Sequence, residues 1–204
     1  MTQPTTVVFD IGGVLLDWDP RYLFRKIFDD EQEMEYFLMH VCSHTWNLLQ
    51  DAGRAPAEGI AELSARYPQY AEQISAYYTR WLETLGDVIH DSVAILRQLQ
   101  AQNTPLYAIT NFNQDTFALC LERYDFLNEF LGIVVSGEVK LLKPDPAIYL
   151  RLLQEHKLAA ADCVFIDDNE ANAKGAQRVG MHGIHFQSPA QLRNELNALG
   201  LLQP

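Results

Sequence analysis

The chain opens on a short apolar run, Thr5 to Phe9, whose β-branched and aromatic residues have the composition of a buried strand. It ends on Asp10 and passes into Gly12 and Gly13, which admit backbone conformations closed to other residues. From Arg21 to about Leu85 the apolar spacing becomes helical. Tyr22, Leu23, Phe24, Ile27 and Phe28 form one stripe. Met34, Phe37, Leu38 and Val41 form a second, after an acidic start at Asp29 to Glu33 that suits a helix N-terminus. Asp51 to Pro56 breaks the pattern; Ile60, Leu63 and Tyr67 then mark a third helix, and Ile74, Tyr77, Tyr78, Trp81, Leu82 and Leu85 a fourth.

From about Val88 strands and helices alternate. A helix with Val93, Leu96 and Leu99 leads to a strand, Pro105 to Ile109, closing on Thr110-Asn111. Phe117, Leu121 and Tyr124 mark the next helix and Ile133 to Val135 the next strand. Asp145 is an N-cap with Pro146 at the first helical position. Cys163 to Ile166 is a strand closing on Asp167-Asp168, followed by a helix that Gly180 stops. Ile184 to Phe186 is the last strand, and Ser188 to Gln191 is a capping box for the last helix. Five strands joined by helices predict an α/β fold, a Rossmann-like parallel sheet flanked by helices with right-handed crossovers. The helical block is then an insertion at the sheet's C-terminal edge. The expected domains are residues 1–17 and 88–204 for the sheet and 18–87 for an all-helical cap. The hinges fall near Leu16–Pro20 and Leu85–His90.

Composition narrows the partners. A net charge of −12 argues against nucleic acid or an anionic membrane, both of which need a basic face. A small anionic substrate remains compatible, because a local cation can invert the field in one cleft. Cys42, Cys120 and Cys163 lie far apart, without zinc spacing, and read as buried reduced thiols. The N-terminus has no basic-then-apolar leader and no apolar run reaches membrane-spanning length, so the expected compartment is the cytoplasm. Nothing in the pattern speaks to oligomeric state.

In open α/β sheets ligands bind at the C-terminal edge, near the switch point in strand order. Asp10, Thr110, the Lys143 loop and Asp167-Asp168 converge there. Singly, each has a plain structural reading as a turn, a helix cap or a solvated charge. Together they do not, because crowded carboxylates repel unless a cation joins them. Hard oxygen donors without clustered His or Cys indicate Mg²⁺. A hydroxyl, an amide and a lysine beside that ion make a receptor for a phosphoryl group.

With VVFDIGGVL, LYAITN, the lysine of LLKPDPAIY and FIDDNEANAKGAQRVGM in this order, the whole chain resembles the haloacid dehalogenase-like hydrolases, and the helical insertion sits where that family carries its cap. The resemblance implies a hydrolase in which Asp10 is a nucleophile forming an aspartyl-phosphate. Thr110 and Asn111 would hold phosphate oxygens, and Lys143 would neutralise nucleophile and phosphate. Mg²⁺ would be bound by Asp10, the Gly12 carbonyl and Asp168, with Asp167 acting through water and Asn172 in support.

One departure from the family pattern matters. Its phosphatases usually carry a second aspartate two residues after the nucleophile, where this chain has Gly12. Glycine keeps the carbonyl but loses the carboxyl that protonates the leaving group, an assistance worth roughly 10²–10⁴ in rate. A good leaving group would tolerate the loss. Asp17, Asp19, His44 and Asp51 are possible replacements, although each also reads as a solvated surface residue.

In the insertion, His44 to Arg54 is the segment expected to face the site, with Trp46, Asn47 and Arg54 as substrate contacts for a sugar or other polar group. Trp46 reads equally well as part of the insertion's own core. The sequence therefore predicts a Mg²⁺-dependent phosphatase acting on a small phosphorylated metabolite, with a sugar phosphate as the narrower expectation. The alternatives are a 2-haloacid dehalogenase, whose halide leaves without a proton, and a non-catalytic binding or regulatory protein on the same fold.

Overall fold

The structure is a computed structural model that describes residues 3–202. Strand β1 (Thr6–Phe9) is followed by a tight turn and a short strand β2 (Leu16–Trp18). Helices α1 (Arg21–Phe24), α2 (Glu31–Tyr36), α3 (His44–Asp51), α4 (Pro56–Arg66) and α5 (Ala71–Thr79) come next. The chain returns through β3 (Leu85–Val88) and α6 (His90–Ala101) to β4 (Leu106–Thr110), α7 (Gln114–Arg123), β5 (Gly132–Val135) and α8 (Ser136–Val139). It closes with α9 (Pro146–Glu155), β6 (Cys163–Asp167), α10 (Glu170–Arg178), β7 (His182–His185) and α11 (Pro189–Ala198).

Five strands form a parallel sheet in the order β5-β4-β1-β6-β7. The α/β class and the five-stranded sheet are as the alternation predicts. Because β1 is central, β4 and β6 flank it, with Phe9 level with Ala108 and Ile166. Asp10, Thr110 and Asp167 therefore leave the sheet side by side. The side chains of β1 alternate between two apolar clusters: Val7 and Phe9 join one, Val8 the other. Both faces of the sheet are thus covered, as a parallel sheet requires. The first cluster runs without a break from Phe9 and Ile166 to Phe24, Phe37, Ile74 and Tyr77, so the helical segment shares a core with one face of the sheet.

Three features depart from expectation. Leu16–Trp18 and Leu85–Val88 are not separate connectors but an antiparallel ribbon, pairing Leu16 with Val88 and Trp18 with Leu85. The last strand lies at His182–His185 rather than Ile184 to Phe186, although Phe186 N–H still donates to Asp167 C=O at 2.8 Å. The second helical stripe ends in a π-turn, Phe37–Val41. Cys42, Cys120 and Cys163 are free and buried, as expected. Among the described residues no helix is long and apolar enough to cross a membrane.

Candidate active site

Asp10 sits at the centre of the sheet edge, buried to 7% exposure. Its Oδ1 accepts from its neighbour's N–H, Ile11, at 2.7 Å, and its Oδ2 lies 2.8 Å from Lys143 Nζ. The same ammonium donates to Asp167 Oδ2 at 2.6 Å and to Ile109 C=O at 3.0 Å. One buried cation is thus shared by two carboxylates. Burial by itself would lower the Lys143 ammonium, but Asp10 and Asp167 hold it above its ordinary value. For Asp10, burial outweighs Lys143 and, with Asp167 adding, pushes its carboxyl up to about 8.

Asp167 has both oxygens engaged. Oδ2 faces Lys143, and Oδ1 accepts from Asn169 N–H at 2.9 Å and Asn172 Nδ2 at 3.0 Å. Asn172 is itself fixed, its carbonyl accepting from Tyr149 Oη at 2.8 Å. Asp168 is more open, and burial followed by the charge of Asp167 raises its carboxyl. Asp10, Asp167 and Asp168 each bring an oxygen within 4.8 Å of the others. Three carboxylates against one lysine leave an excess of two negative charges if all ionise, and the donors are all hard oxygens. That set suits a divalent ion such as Mg²⁺.

Gly13 leaves room for this arrangement. Its φ is +73°, and a Cβ there would lie 2.4 Å from Asp168 Oδ2. Gly13→Ala is therefore expected to displace Asp168 as well as strain the turn, at a cost of about 1–3 kcal/mol in stability. If Asp168 holds a divalent ion, calorimetric titration should show Mg²⁺ affinity weakened by about tenfold or more, and unchanged affinity would separate Asp168 from any ion bound here. Gly12 is the opposite case, since a Cβ built there meets nothing within 4 Å.

Above this floor lies a cavity of about 340 Å³, within the ordinary range for a small-molecule site. Thr110, Asn111 and Lys143 line its lower part together with Asp10, Gly12 and Asp168. The Asn111 side chain clamps the Lys143 backbone. Its Oδ1 accepts from Lys143 N–H at 2.8 Å and its Nδ2 donates to Lys143 C=O at 3.1 Å. The side-chain amide thus positions the lysine loop.

The upper walls come from β2, α3, the segment after α5 and the start of α7. Along α3, His44, Asn47, Leu48 and Asp51 face the cavity, the spacing of a single helix face. Trp46 lies on another face and packs edge-on against Tyr77 and Tyr78, with centroids 5.5 and 5.9 Å away. Arg54 turns to Gln50 and Glu62. Neither residue lines the cavity, which corrects the expected substrate contacts of Trp46 and Arg54: Trp46 lies on the other face of α3, and Arg54, beyond the helix end, is taken up by its two partners. Asn47 does line it. Asp17 is taken up by Tyr22 Oη at 2.7 Å, and Asp19 accepts from Arg21 N–H. Asp51 is buried rather than solvated.

Sequence reading did not single out Asn113, Tyr78, Trp81 or Phe112 for the site. Asn113 was findable: it follows a strand and precedes Thr116 as an N-cap should, and Oδ1 accepts from Asp115 N–H and Thr116 N–H. The aromatic residues gave no such signal, since their stripes are those of core residues.

The model of the haloacid dehalogenase-like hydrolases matches residues 4–180, across the strand ends that build this site. The chain belongs to this hydrolase family. Among relatives of the haloacid dehalogenase-like chain, the sesquiterpene phosphatase astK of Aspergillus oryzae is 28% identical over 194 residues, 94% of each protein. Flavin mononucleotide hydrolase 1 of Arabidopsis thaliana is 39% identical over 111 residues, 52% of this chain and 43% of that protein. A haloacid dehalogenase family enzyme of Bacteroides thetaiotaomicron, solved with magnesium and inorganic phosphate, shares the fold with a TM-score of 0.69. It is 24% identical, over 91% of this chain and 95% of that one.

Proposed function

We propose that this hydrolase is a Mg²⁺-dependent phosphatase that cleaves a small phosphorylated metabolite through an aspartyl-phosphate on Asp10. The observation that carries the reading is the Asp10–Lys143–Asp167 ion cluster beside Asp168 at the floor of one cavity. The phosphatase names of two relatives, one of them similar along nearly its whole length, support it. Asp10, Asp168 and the Gly12 carbonyl would hold the ion, Asp167 acting through water, and Mg²⁺ would supply charge neutralisation for an incoming phosphoryl group.

The chain's own residues then divide the work. Asp10 Oδ attacks phosphorus, with Lys143 holding the carboxylate and stabilising charge on the phosphoryl oxygens. The Thr110 hydroxyl and the Asn111 backbone N–H meet those oxygens, since the Asn111 side chain is committed elsewhere. Tyr149, Asn172 and Asn169 hold Asp167, and through it Lys143, in register. We assign residues 18–87 to a cap covering the site, in keeping with the walls that α3 and Trp81 contribute.

A sugar phosphate is the narrower proposal, supported by Asn47, His44 and Asn113 as hydrogen-bonding groups on the wall. A second class is favoured by Trp18, Leu48, Tyr78, Trp81 and Phe112 on the same walls, which suit a leaving group with an apolar face. The test is a panel of both kinds of phosphomonoester, with chloroacetate, assayed with Mg²⁺ and with chelator. Phosphate release should vanish in chelator and in Asp168→Ala, by at least about 10³-fold. Undiminished turnover in chelator, or chloride release instead of phosphate, would overturn the assignment.

A further inference from the structure

Gly12 leaves the leaving group without the family's usual proton donor, and the cavity holds another carboxyl. We propose that Asp51, at the C-terminal end of α3, is that donor: it protonates the leaving oxygen and then deprotonates the attacking water. The inference rests on the phosphatase reading above and deepens it.

Four observations place Asp51 in this role. It lines the same cavity as Asp10 while being only 7% exposed. Among the described residues it has no cationic partner: its side chain accepts from Asn47 Nδ2 at 3.0 Å and from the Asn113 N–H. Asn47 in turn accepts from Tyr78 Oη at 3.1 Å, so Tyr78, Asn47 and Asp51 form a hydrogen-bonded row along the wall. Finally, desolvation lifts the carboxyl to about 7, where both protonation states are populated near neutral pH.

The anchoring of α3 does not itself use this carboxyl. Ser136 Oγ donates to the Asp51 backbone carbonyl at 2.6 Å, and Asn113 Nδ2 donates to the Gln50 carbonyl at 3.2 Å. These bonds bolt the helix end to the residues after β4 and β5 and fix where Asp51 meets the cavity. The other candidates fare worse, since Asp17 and Asp19 do not line the cavity and His44 is exposed at its mouth.

The steps balance. As the Asp10 Oδ–P bond forms and the P–O bond to the leaving group breaks, that oxygen keeps the bonding pair and takes the Asp51 proton. The Asp51 carboxylate then takes a proton from water as the water oxygen attacks phosphorus. The Asp10 Oδ–P bond breaks, phosphate departs, and both carboxyls return to their starting states.

The experiment compares kcat/KM, which reports the first phosphoryl transfer, for an alkyl phosphate and for acetyl phosphate. Wild type, Asp51→Asn and the double variant Asp51→Asn/Gly12→Asp are measured with Mg²⁺. Asp51→Asn should lower the alkyl value by roughly 10²–10⁴ and the acetyl value far less, because an acyl phosphate leaves without a proton. The double variant should recover most of the alkyl loss, since a side chain at residue 12 enters open space. A structural role would lower both values together, and a carboxylate at residue 12 would rescue neither. Equal losses, or no rescue, overturn the role of Asp51 while leaving the phosphatase reading in place. Absence of wild-type hydrolysis of both substrates overturns the two together.

Discussion

Replacing Asp10 by asparagine is expected to reduce turnover by roughly 10⁴–10⁶-fold, the scale seen when a nucleophile is removed from a covalent mechanism. The amide keeps the shape of the carboxyl and an oxygen to accept the Ile11 N–H. Lys143 keeps Asp167 and the Ile109 carbonyl as partners, so the fold should survive. What disappears is the attacking charge. Beryllofluoride, which mimics a phosphoryl group on a carboxylate, should bind wild type in fluorine NMR and leave the variant unbound. Appreciable activity in Asp10→Asn would sink the covalent mechanism, whatever the fate of the metal assignment.

Lys143→Met should carry the largest stability defect of any single change at the site. Its side chain is 1% exposed, and its ammonium joins two buried carboxylates. Methionine fills the space but leaves those carboxylates facing each other, and breaking a buried pair this way costs about 3–5 kcal/mol. The deficit should depend on pH. A carboxyl raised by folding, as Asp10 is, stabilises the folded state in its protonated form, and that contribution is lost as pH climbs from its unfolded value toward about 8. Removing the lysine raises the Asp10 carboxyl further, so urea unfolding should show a gap from wild type that is nearly constant from pH 5 to 7 and widens as pH rises past about 8. A deficit independent of pH would mean that methionine packs badly and that charge is not the cause.

How much of this was legible in sequence depended on how local each cause was. β1 and β6 declare themselves, being apolar and β-branched with a carboxylate at the end. The ribbon of β2 and β3 did not: its strands have three and four residues, include Asp17, Gly86 and Asp87, and are held by pairing across the whole helical segment. β7 was misplaced because His182, Gly183 and His185 dilute its apolar signal. At the site, Asp10, Lys143 and Asp167 could be read from type and order. The orientation of Asn111 could not, since it is set by the backbone of a loop 32 residues away. Asp51 looked like part of a polar turn. Its burial comes from docking against Ser136, 85 residues further on, and no local pattern encodes that contact.

The ribbon also determines how the helical segment can move. If the two crossings were independent tethers, the helices could swing about either one, or slide as one tether paid out against the other. Laced together through Leu16–Val88 and Trp18–Leu85, the two crossings behave as one strap. A strap resists shear along its length and yields to bending and twisting. Trp18 is both a rung of that strap and part of the cavity wall, so any flexing of the strap would carry an indole toward or away from the space above Asp10. The link between the sheet and the helical segment is therefore also one wall of the cavity above Asp10.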